Sequence, residues 1–335
     1  MRSALSPDIR DLAQAVRAGE RRALARAITL VESDHTDHRR SAEALLAALA
    51  PADGKAVRLG ISGPPGVGKS TFIGALGLAA VARGRRVAVL AVDPSSPVTG
   101  GSILGDKTRM EELSRDPKAY IRPSPSSGAL GGASWRTREA IAVCEAAGFD
   151  LVVVETVGVG QSETAIATLV DLVLLLLAPG GGDDLQGIKK GIVEVADFIA
   201  VNKADGDLEA AAERVARDYR AALSLLHPPD PRWPVPVLIC SSLTGAGVGP
   251  ILDTLEERFA ALKETGTLAD RRRHQGLACL WDQIREGLTA QFKTHPTVLA
   301  RLPSVEADVL TGRLDPIAGS KQLLAAFLDR EGTNA

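Results

Sequence analysis

The chain has 335 residues, of which 45% are apolar and 24% are charged, a composition typical of a soluble globular protein. A formal net charge of −2 gives no electrostatic basis for binding nucleic acid or an anionic membrane, and no apolar run is long enough for a transmembrane helix or a signal peptide. The three cysteines, Cys144, Cys240 and Cys279, are too far apart for a disulfide framework or a metal site, so we expect a cytoplasmic protein with reduced thiols.

The first two regions of the chain differ in their apolar periodicity. Residues 1–52 carry a helical pattern, in which Leu12 and Val16 are one turn apart, and we expect a helical extension there. Residues 53–264 contain short apolar runs separated by helical stretches: Val57–Ile61, Val87–Val92, Leu151–Val154, Leu172–Leu177, Phe198–Val201 and Val235–Cys240. Strands that are apolar on both faces and alternate with helices predict an α/β fold, with a mainly parallel sheet covered by helices on both faces.

The third region, residues 265–335, returns to a helical pattern. One apolar stripe consists of Leu277, Leu280, Trp281, Ile284 and Leu288. His295–Pro296 predicts the end of that helix, and shorter helices are expected near Ser304–Leu310 and Ser320–Leu328. The stripe would be buried equally well in a core or in a dimer seam, so the sequence leaves both interpretations open.

The segment after the first predicted strand matches the motif G-x-x-x-x-G-K-[ST] and precedes a predicted helix, Thr71–Ala82. It consists of Gly63, Pro64, Pro65, Gly66, Val67, Gly68, Lys69 and Ser70, followed by Thr71. Its glycines let backbone N–H groups face phosphates, and the helix N-terminus adds its positive dipole end. We expect Lys69 to bridge the β- and γ-phosphates and the Ser70 hydroxyl to bind Mg²⁺. The correct context favours a P-loop NTPase fold over a chance glycine-rich turn.

Asn202-Lys203-Ala204-Asp205 follows the strand Phe198–Val201, where a guanine-reading N-K-x-D motif belongs. The Asp205 carboxylate can accept hydrogen bonds from the ring N–H and the amine of guanine, whereas adenine has no donors in that arrangement. Such a site discriminates by roughly 10⁴-fold or more. The Lys203 stem is expected to pack on the base, and backbone N–H groups of Ser241, Ser242 and Leu243 to face the guanine oxygen. The sequence therefore predicts binding of GTP and GDP rather than ATP.

Two carboxylates end neighbouring predicted strands near the phosphate motif. Asp93 follows Val87–Val92 and Glu155 follows Leu151–Val154, positions that suit Mg²⁺ ligands, although strand-end carboxylates can also cap loops. In Glu155-Thr-Val-Gly158, the Gly158 N–H is expected to contact the γ-phosphate. Val159 stands where some GTPases carry a water-orienting Gln, so we expect slow intrinsic hydrolysis, with Gln161 a weaker substitute.

Two long polar segments are candidates for further switch loops. Pro94–Met110 contains Asp106 and Lys107, and a connection of that length inside a compact domain is usually functional. Pro179–Lys190 contains three successive glycines, which predict a hinge. Its polar side chains, which could reach the nucleotide or a partner, are Asp183, Asp184, Gln186, Lys189 and Lys190; a solvated loop is the alternative.

Together these residues resemble the MeaB/ArgK-type GTPases, relatives of the methylmalonic aciduria type A protein. The stretches that carry the resemblance are GISGPPGVGKST, VDPSSPVTGGSILGDKTRM, ETVGVGQSE, PGGGDDLQGIKKGI and VNKAD. The resemblance implies a GTP-hydrolysing metallochaperone that gates adenosylcobalamin loading and protects an acyl-CoA mutase, commonly methylmalonyl-CoA mutase. It also implies a homodimer joined through the C-terminal helices.

The resemblance also implies roles for individual residues. Lys69, Ser70, Asp93 and Glu155 would hold the phosphates and Mg²⁺, and Asp106 would join them. Gln186 and Lys189 would belong to a third switch loop that enters the catalytic site when the mutase binds. The implied catalytic set is therefore Lys69, Asp93, Asp106, Glu155, Gln186 and Lys189, and the implied metal ligands are Ser70, Asp93, Asp106 and Glu155.

Two other functions stay open at the level of sequence. One is an ATP-dependent kinase linked to amino-acid transport, although Asp205 disfavours adenine and no kinase signature is present. The other is a nickel-insertion GTPase, for which Asp34–His38, with two His and two Asp, is the nearest metal-binding segment; a polar turn is the simpler interpretation. The basic cluster Arg271–His274 could bind an anion or a partner, and we expect it to be a solvated helix face.

Overall fold

The computed structural model describes residues 7–33, 35–49, 54–93, 110–125, 132–156, 165–180, 190–225 and 233–328. The chain divides into two compact units, the first ending at Gly276 and the second beginning at Leu277. Within the described ranges, no helix has both the length and the apolar character needed to cross a bilayer. The predicted division into residues 1–52, 53–264 and 265–335 stays a prediction.

The helices and strands occur in the following order and with the following bounds. The helices are α1 (Pro7–Arg17), α2 (Arg21–Glu32), α3 (Thr36–Leu49), α4 (Lys69–Ala82), α5 (Glu111–Arg115), α6 (Gly132–Ala146), α7 (Lys190–Val195), α8 (Glu209–Leu225), α9 (Val248–Glu264), α10 (Thr267–Thr294), α11 (Pro296–Leu310) and α12 (Pro316–Leu328). The strands are β1 (Val57–Ser62), β2 (Val87–Asp93), β3 (Ala119–Pro125), β4 (Leu151–Thr156), β5 (Leu172–Leu177), β6 (Phe198–Val201) and β7 (Val237–Ile239). Short 3₁₀ turns cover Ile166–Thr168 and Gly206–Leu208.

These strands form one parallel sheet in the order β3-β2-β4-β1-β5-β6-β7. Every residue of β5 and of β6 is buried, because helices cover both faces of the sheet. The register places Ile61 of β1 beside Glu155 of β4, and Ser62 of β1 beside Leu175 of β5. The loops that follow β1, β4 and β6 therefore emerge at one edge, the carboxyl edge, where open α/β sheets bind ligands.

Alternate residues of each strand point to opposite faces of the sheet and form two hydrophobic cores. On one face, residues such as Val152, Val154 and Leu175 pack with α1, α2, α3, α6 and α8. On the other face, residues such as Leu59 and Leu174 pack with α4 and α9. The N-terminal helices thus share a core with the sheet, which agrees with their place in the first compact unit. The α/β fold predicted from the strand pattern is confirmed.

Strand β3 has no counterpart among the predicted runs. Its sequence, AYIRPSP, contains two prolines, which lack the N–H that a central strand needs to donate. The strand lies at the edge of the sheet and pairs only with β2 among the described strands, so Pro123 and Pro125 are tolerated. The edge position, which is a tertiary property, explains why the sequence pattern missed this strand.

The second compact unit consists of the later part of α10 together with α11 and α12. Both α11 and α12 begin earlier than predicted, at Pro296 and Pro316, because proline is favoured in the first turn of a helix. The side chains of Val298 and Leu323 are buried there, and the rings of Phe292 and Phe327 meet edge to face at 5.5 Å. The stripe predicted on α10 is exposed in the single chain, with Trp281 55% and Leu277 54% accessible.

The expectation of a solvated face for Arg271–His274 is wrong for the first two arginines. Arg272 binds the fully buried carboxylate of Asp171 through Nε and Nη2, at 2.8 and 2.6 Å. Arg271 binds the carboxylate of Asp197 through Nη1 and Nη2 at 3.2 Å. Both aspartates immediately precede buried strands, so their charges need partners, and the first turns of α10 supply them. Arg273 and His274 are exposed, as expected.

Candidate nucleotide-binding site

The phosphate motif forms a tight loop between β1 and α4. Gly66 and Gly68 have φ of 78° and 95°, a left-handed conformation that disfavours other residues. A Cβ on Gly63 would lie 2.3 Å from the carbonyl oxygen of Leu176 on neighbouring β5, so only glycine fits there. The glycines therefore place the loop directly over the carboxyl edge of the sheet. Helix α4 begins at Lys69, two residues before the predicted start, and its N-terminus faces the loop.

Lys69 is held inside the curve of this loop. Its side chain is buried, and Nζ donates hydrogen bonds to the carbonyl oxygens of Gly63 at 2.7 Å and Pro64 at 3.2 Å. The ammonium group is thus held against the first residues of the loop. This geometry places a fixed positive charge where a polyphosphate would lie.

Ser70 and Glu155 meet at the same edge of the sheet. The Ser70 hydroxyl donates to Glu155 Oε1 at 3.1 Å, and both residues are buried. Glu155 reaches this position because β4 pairs with β1. A hydroxyl and a carboxylate oxygen side by side are hard ligands of the kind Mg²⁺ prefers, so these residues fit a magnesium ion.

Other predicted phosphate and metal residues are described in part or lie outside the described residues. Asp93 is the last residue of β2. Thr71 is exposed on the first turn of α4. Asp106, Gly158, Gln186 and Lys189 all fall outside the described residues. The described part of the site thus contains the phosphate cradle and the Ser70–Glu155 pair.

Asn202 joins three segments at the centre of the site. Its buried amide nitrogen donates to the carbonyl oxygen of Val67 at 3.0 Å, in the phosphate loop. Its Oδ1 accepts from the Ser242 backbone N–H at 3.0 Å and from the Ser242 hydroxyl at 2.7 Å. The Cys240 thiol lies 3.7 Å from the same oxygen, and burial raises its pKa to about 12, so it stays protonated. The role of Asn202 as a connector between loops was not predicted from the sequence.

Lys203 makes a second connection between the same two loops. It has a left-handed backbone conformation, with φ of 62°, and Nζ donates to the carbonyl oxygen of Gly66 at 2.7 Å. A strained backbone at a non-glycine residue persists only where its surroundings hold it, which the bond to the phosphate loop helps to do. The aliphatic stem consequently spans from the base motif to the phosphate loop.

Asp205 is oriented by the loop that follows β7. Its carboxylate accepts a hydrogen bond from the hydroxyl of Ser241, which is fully buried. The Ser242 N–H, which we expected to face the base, is bonded to Asn202 instead, and Leu243 is 81% exposed at the loop tip. This loop ends at Gly247, where a Cβ would lie 2.2 Å from the Ile239 carbonyl oxygen. The close packing of the loop on β7 fixes Ser241 beside Asp205.

The site therefore brings together the two motifs that the sequence places 139 residues apart, from Gly63 to Asn202. One motif can cradle phosphates and the other presents a carboxylate that can read a guanine base. Asn202 and Lys203 connect them directly. This arrangement fits a guanine nucleotide whose phosphates lie in one motif while its base lies at the other.

Comparison with known proteins agrees with this arrangement. A family model described as "Methylmalonyl Co-A mutase-associated GTPase MeaB" matches residues 24–297. The "GTPase ArgK" of Escherichia coli is 50% identical over 308 residues, covering 92% of this chain and 93% of that protein. The "Methylmalonic aciduria type A homolog, mitochondrial" of Mus musculus is 48% identical over 322 residues, covering 93% of this chain and 78% of that protein.

A solved structure shows the same fold over nearly the whole chain. The structure described as "LAO/AO transport system kinase" superposes with a TM-score of 0.75 at 37% identity, covering 96% of this chain and 99% of that chain. The family match, the named GTPases and the phosphate and base motifs agree with one another. The chain belongs to the MeaB family and is a P-loop GTPase that hydrolyses GTP.

Proposed function

We propose that this GTPase is a chaperone of an adenosylcobalamin-dependent acyl-CoA mutase, most simply methylmalonyl-CoA mutase. It gates loading of adenosylcobalamin and protects the mutase from inactivation. The observation that carries the proposal is the match of residues 24–297 to a family described as mutase-associated. The relatives named for methylmalonic aciduria type A support it. The protein acts in the cytoplasm, as its composition and thiols predict.

The proposal assigns the phosphates to the loop from Gly63 to Gly68, together with Thr71. Lys69 leaves its carbonyl partners in that loop and bridges the β- and γ-phosphates, because a polyphosphate is the stronger partner for an ammonium group. Backbone N–H groups and the N-terminus of α4 neutralise the remaining phosphate charge. This exchange of partners costs little, since the ammonium group stays within the same cradle.

The base is assigned to Asp205 and its neighbours. The Asp205 carboxylate accepts hydrogen bonds from the ring N–H and the amine of guanine. The Ser241 hydroxyl fixes the orientation of that carboxylate. Lys203 covers one face of the base. Asn202 keeps the base loop at a constant distance from the phosphate loop, so guanosine phosphates of the correct length fit best.

Mg²⁺ would be held by Ser70 and Glu155, with Asp93 and Asp106 as further oxygen ligands. When bound, it would neutralise negative charge on the phosphates. Glu155 would offer a carboxylate oxygen in this role, and the Ser70 hydroxyl would turn from the carboxylate to offer its own oxygen. Gly158 contacts the γ-phosphate, so loss of that phosphate releases the loop that carries Gly158.

Slow intrinsic turnover is part of the proposal, because Val159 cannot orient the attacking water. Gln186 and Lys189 supply the missing contacts when the mutase is bound. The proposed active form is a homodimer, in which the exposed stripe from Leu277 to Leu288 is the seam.

The decisive experiment measures GTP hydrolysis by the full chain with and without purified methylmalonyl-CoA mutase, using ATP as the control nucleotide. We expect slow GTP turnover alone, at least about tenfold acceleration with the mutase, and negligible ATP turnover. Gln186→Ala and Lys189→Ala should leave the rate without mutase nearly unchanged and remove most of the acceleration. Turnover that is unaffected by this and other acyl-CoA mutases would contradict the chaperone function while leaving the GTPase intact.

One relative supports a second candidate, since the solved structure with 37% identity is described as a transport system kinase. A kinase would transfer the γ-phosphate to a protein acceptor. Incubation with γ-labelled ATP and γ-labelled GTP distinguishes the two functions. Label in a protein band favours the kinase, and label released only as inorganic phosphate, from GTP, favours the chaperone. The nickel-insertion alternative predicts stoichiometric Ni²⁺ binding in equilibrium dialysis.

A further inference from the structure

A cavity of about 540 Å³ lies at the amino edge of the sheet, opposite the edge that carries the nucleotide site. Its lining includes Leu172 and Val173, which are buried at the start of β5, and the buried Val170 just before that strand. Ala261 and Leu262, at the end of α9, form an apolar wall. The volume and the apolar lining are those of a site for a small organic molecule.

One wall of this cavity carries an accessible aromatic ring. The Trp233 side chain lines the cavity and is 39% exposed. The guanidinium of Arg258 lies 5.5 Å from its ring centroid, and that arginine donates through Nε to the carbonyl oxygen of Asp197 at 3.0 Å. Tryptophan offers a large flat surface with few rotatable bonds, so an apolar body can pack on it at low entropic cost.

Arg271 also lines the cavity, and its hydrogen bonds use only one side of the guanidinium. Nη1 and Nη2 together bind the Asp197 carboxylate at 3.2 Å, and Nη1 also donates to the Asp171 carbonyl oxygen. Within the described residues, nothing accepts from Nε–H or from the second Nη2 hydrogen. These two hydrogens point in the same direction and form the lateral fork that binds carboxylates in bidentate fashion.

The neighbouring arginine demonstrates that geometry. Arg272 uses its own Nε and Nη2 to hold the carboxylate of Asp171 at 2.8 and 2.6 Å. Arg271 has the same fork, a side chain that is 33% exposed, and a place in the cavity wall. The difference between the two arginines is that no carboxylate of the described residues lies at the lateral fork of Arg271.

We propose that this cavity binds a small organic carboxylate with an uncharged apolar body. The carboxylate binds the lateral fork of Arg271, and the body packs on Trp233 and the apolar wall. Glu194 also lines the cavity, and Asp197 is already held by Arg271 and by the Val173 N–H at 2.8 Å. The apolar wall and the Trp233 ring favour an uncharged body, so we expect the ligand to be a monoanion. This site is separate from the nucleotide site and does not depend on the proposed chaperone function.

The test titrates naphthaleneacetate into the full chain, followed by ligand-observed NMR and calorimetry. The protein is saturated with GDP and Mg²⁺, so that the phosphate cradle is occupied and cannot bind the carboxylate. Naphthaleneacetamide, which has nearly the same shape without the charge, is the matched ligand. We expect saturable binding of the acid with a Kd of about 1 mM or lower, and at least about tenfold weaker binding of the amide.

Three substitutions test where the acid binds. Arg271→Lys keeps the charge and loses the fork, so the acid should bind at least about tenfold more weakly. Arg273→Lys, an exposed neighbour on the same helix, should leave the affinity unchanged. Ala261→Phe should fill the cavity and remove binding of both ligands. GDP affinity, unchanged in all three variants, verifies that they are folded.

Three results would overturn the proposal: no saturable binding of the acid, equal binding of the amide, or equal binding of the acid to the Arg271→Lys variant. If Ala261→Phe fails to fold, the comparison of Arg271→Lys with Arg273→Lys still decides. None of these results bears on mutase-stimulated GTP hydrolysis, so the two proposals succeed or fail separately.

Discussion

Asn202 is the side chain through which the phosphate loop and the base-binding loop contact each other. It donates to Val67 and accepts twice from Ser242, and it is almost completely buried. Each bond satisfies a polar group that has no access to water, so losing the amide would leave several groups unsatisfied at once. We therefore expect the relative position of the two loops to depend mainly on this residue, with the Lys203–Gly66 bond as a second connection.

Substitution of this residue tests that dependence. Asn202→Ala should reduce GDP affinity by at least about tenfold and lower the free energy of unfolding by about 1–3 kcal/mol, because buried partners are left without bonds. Ser242→Ala removes only the hydroxyl bond and should cost about 1 kcal/mol. Calorimetric titration with GDP and urea denaturation measure both effects. An Asn202→Ala variant with wild-type GDP affinity would show that the loops are positioned independently.

Asp205 determines the choice of base. Asp205→Asn should weaken GTP binding and favour xanthosine triphosphate, since the amide donor pairs with the second carbonyl of xanthine. A specificity change of about 10³-fold or more is expected, because a buried polar group without a partner strongly disfavours the wrong base. Asp207→Asn, two residues away and exposed, is the matched control and should change neither affinity. Competition binding with both triphosphates provides the measurement.

At the scale of elements, the loop between β1 and α4 depends on glycines for two different reasons. Gly68 requires a left-handed backbone, and a Cβ there would lie 2.9 Å from Nδ2 of Asn202. Gly84, after α4, also has a left-handed backbone, but a Cβ there would meet nothing within 4 Å. Comparison of Gly68 with Gly84 therefore distinguishes the effect of backbone strain from the effect of steric contact with the base motif.

The corresponding alanine variants should differ in function more than in stability. Gly68→Ala and Gly84→Ala should each lower the free energy of unfolding by about 1–2 kcal/mol through backbone strain. Only Gly68→Ala should also weaken GDP binding, by about tenfold or more, because its methyl group pushes Asn202 away. Thermal unfolding and GDP titration of both variants check this. Equal GDP affinity in the two variants would contradict it.

The elements that could be predicted were those whose structure follows from their own local sequence. Strands such as Phe198–Val201 are apolar on both faces, and their burial follows from that alone. The phosphate and base motifs are local, so their residues could be named from the sequence. Strand β3 was not predicted, because its prolines argue against a strand except at a sheet edge, and the edge position is not visible in the sequence. The connector role of Asn202 was not predicted, because it depends on contacts between segments that are distant in the sequence.

At the scale of the whole molecule, ion pairs connect the helices to the amino edge and faces of the sheet. Arg272 binds Asp171, whose side chain is fully buried, and also donates to the carbonyl oxygen of Ala56 at 2.8 Å. Arg58 of β1 binds Glu145 of α6 through two bonds, at 2.7 and 2.9 Å. Breaking a buried pair leaves an uncompensated charge, which is strongly destabilising.

Removal of one partner should therefore have a large effect. Arg272→Met keeps the aliphatic volume and leaves Asp171 unpaired, and should lower the free energy of unfolding of the first compact unit by about 3–5 kcal/mol. Arg273→Met, exposed on the same helix, should change it by about 0.5 kcal/mol or less. Urea denaturation followed by circular dichroism compares them. Equal stability of the two variants would show that water or another group compensates Asp171.

The first turns of α10 have a consequence for how the chain can be shortened. Arg271, Arg272 and Gln275 contribute side chains to the amino edge, and Gln275 donates to the carbonyl oxygens of Ala167 and Val170 at 3.0 and 2.7 Å. A fragment ending at residue 264, after α9, would contain every nucleotide motif and still lack these three side chains. Its aspartates at positions 171 and 197 would become buried charges without cations. The smallest autonomous GTPase fragment of this protein should therefore extend at least to residue 276.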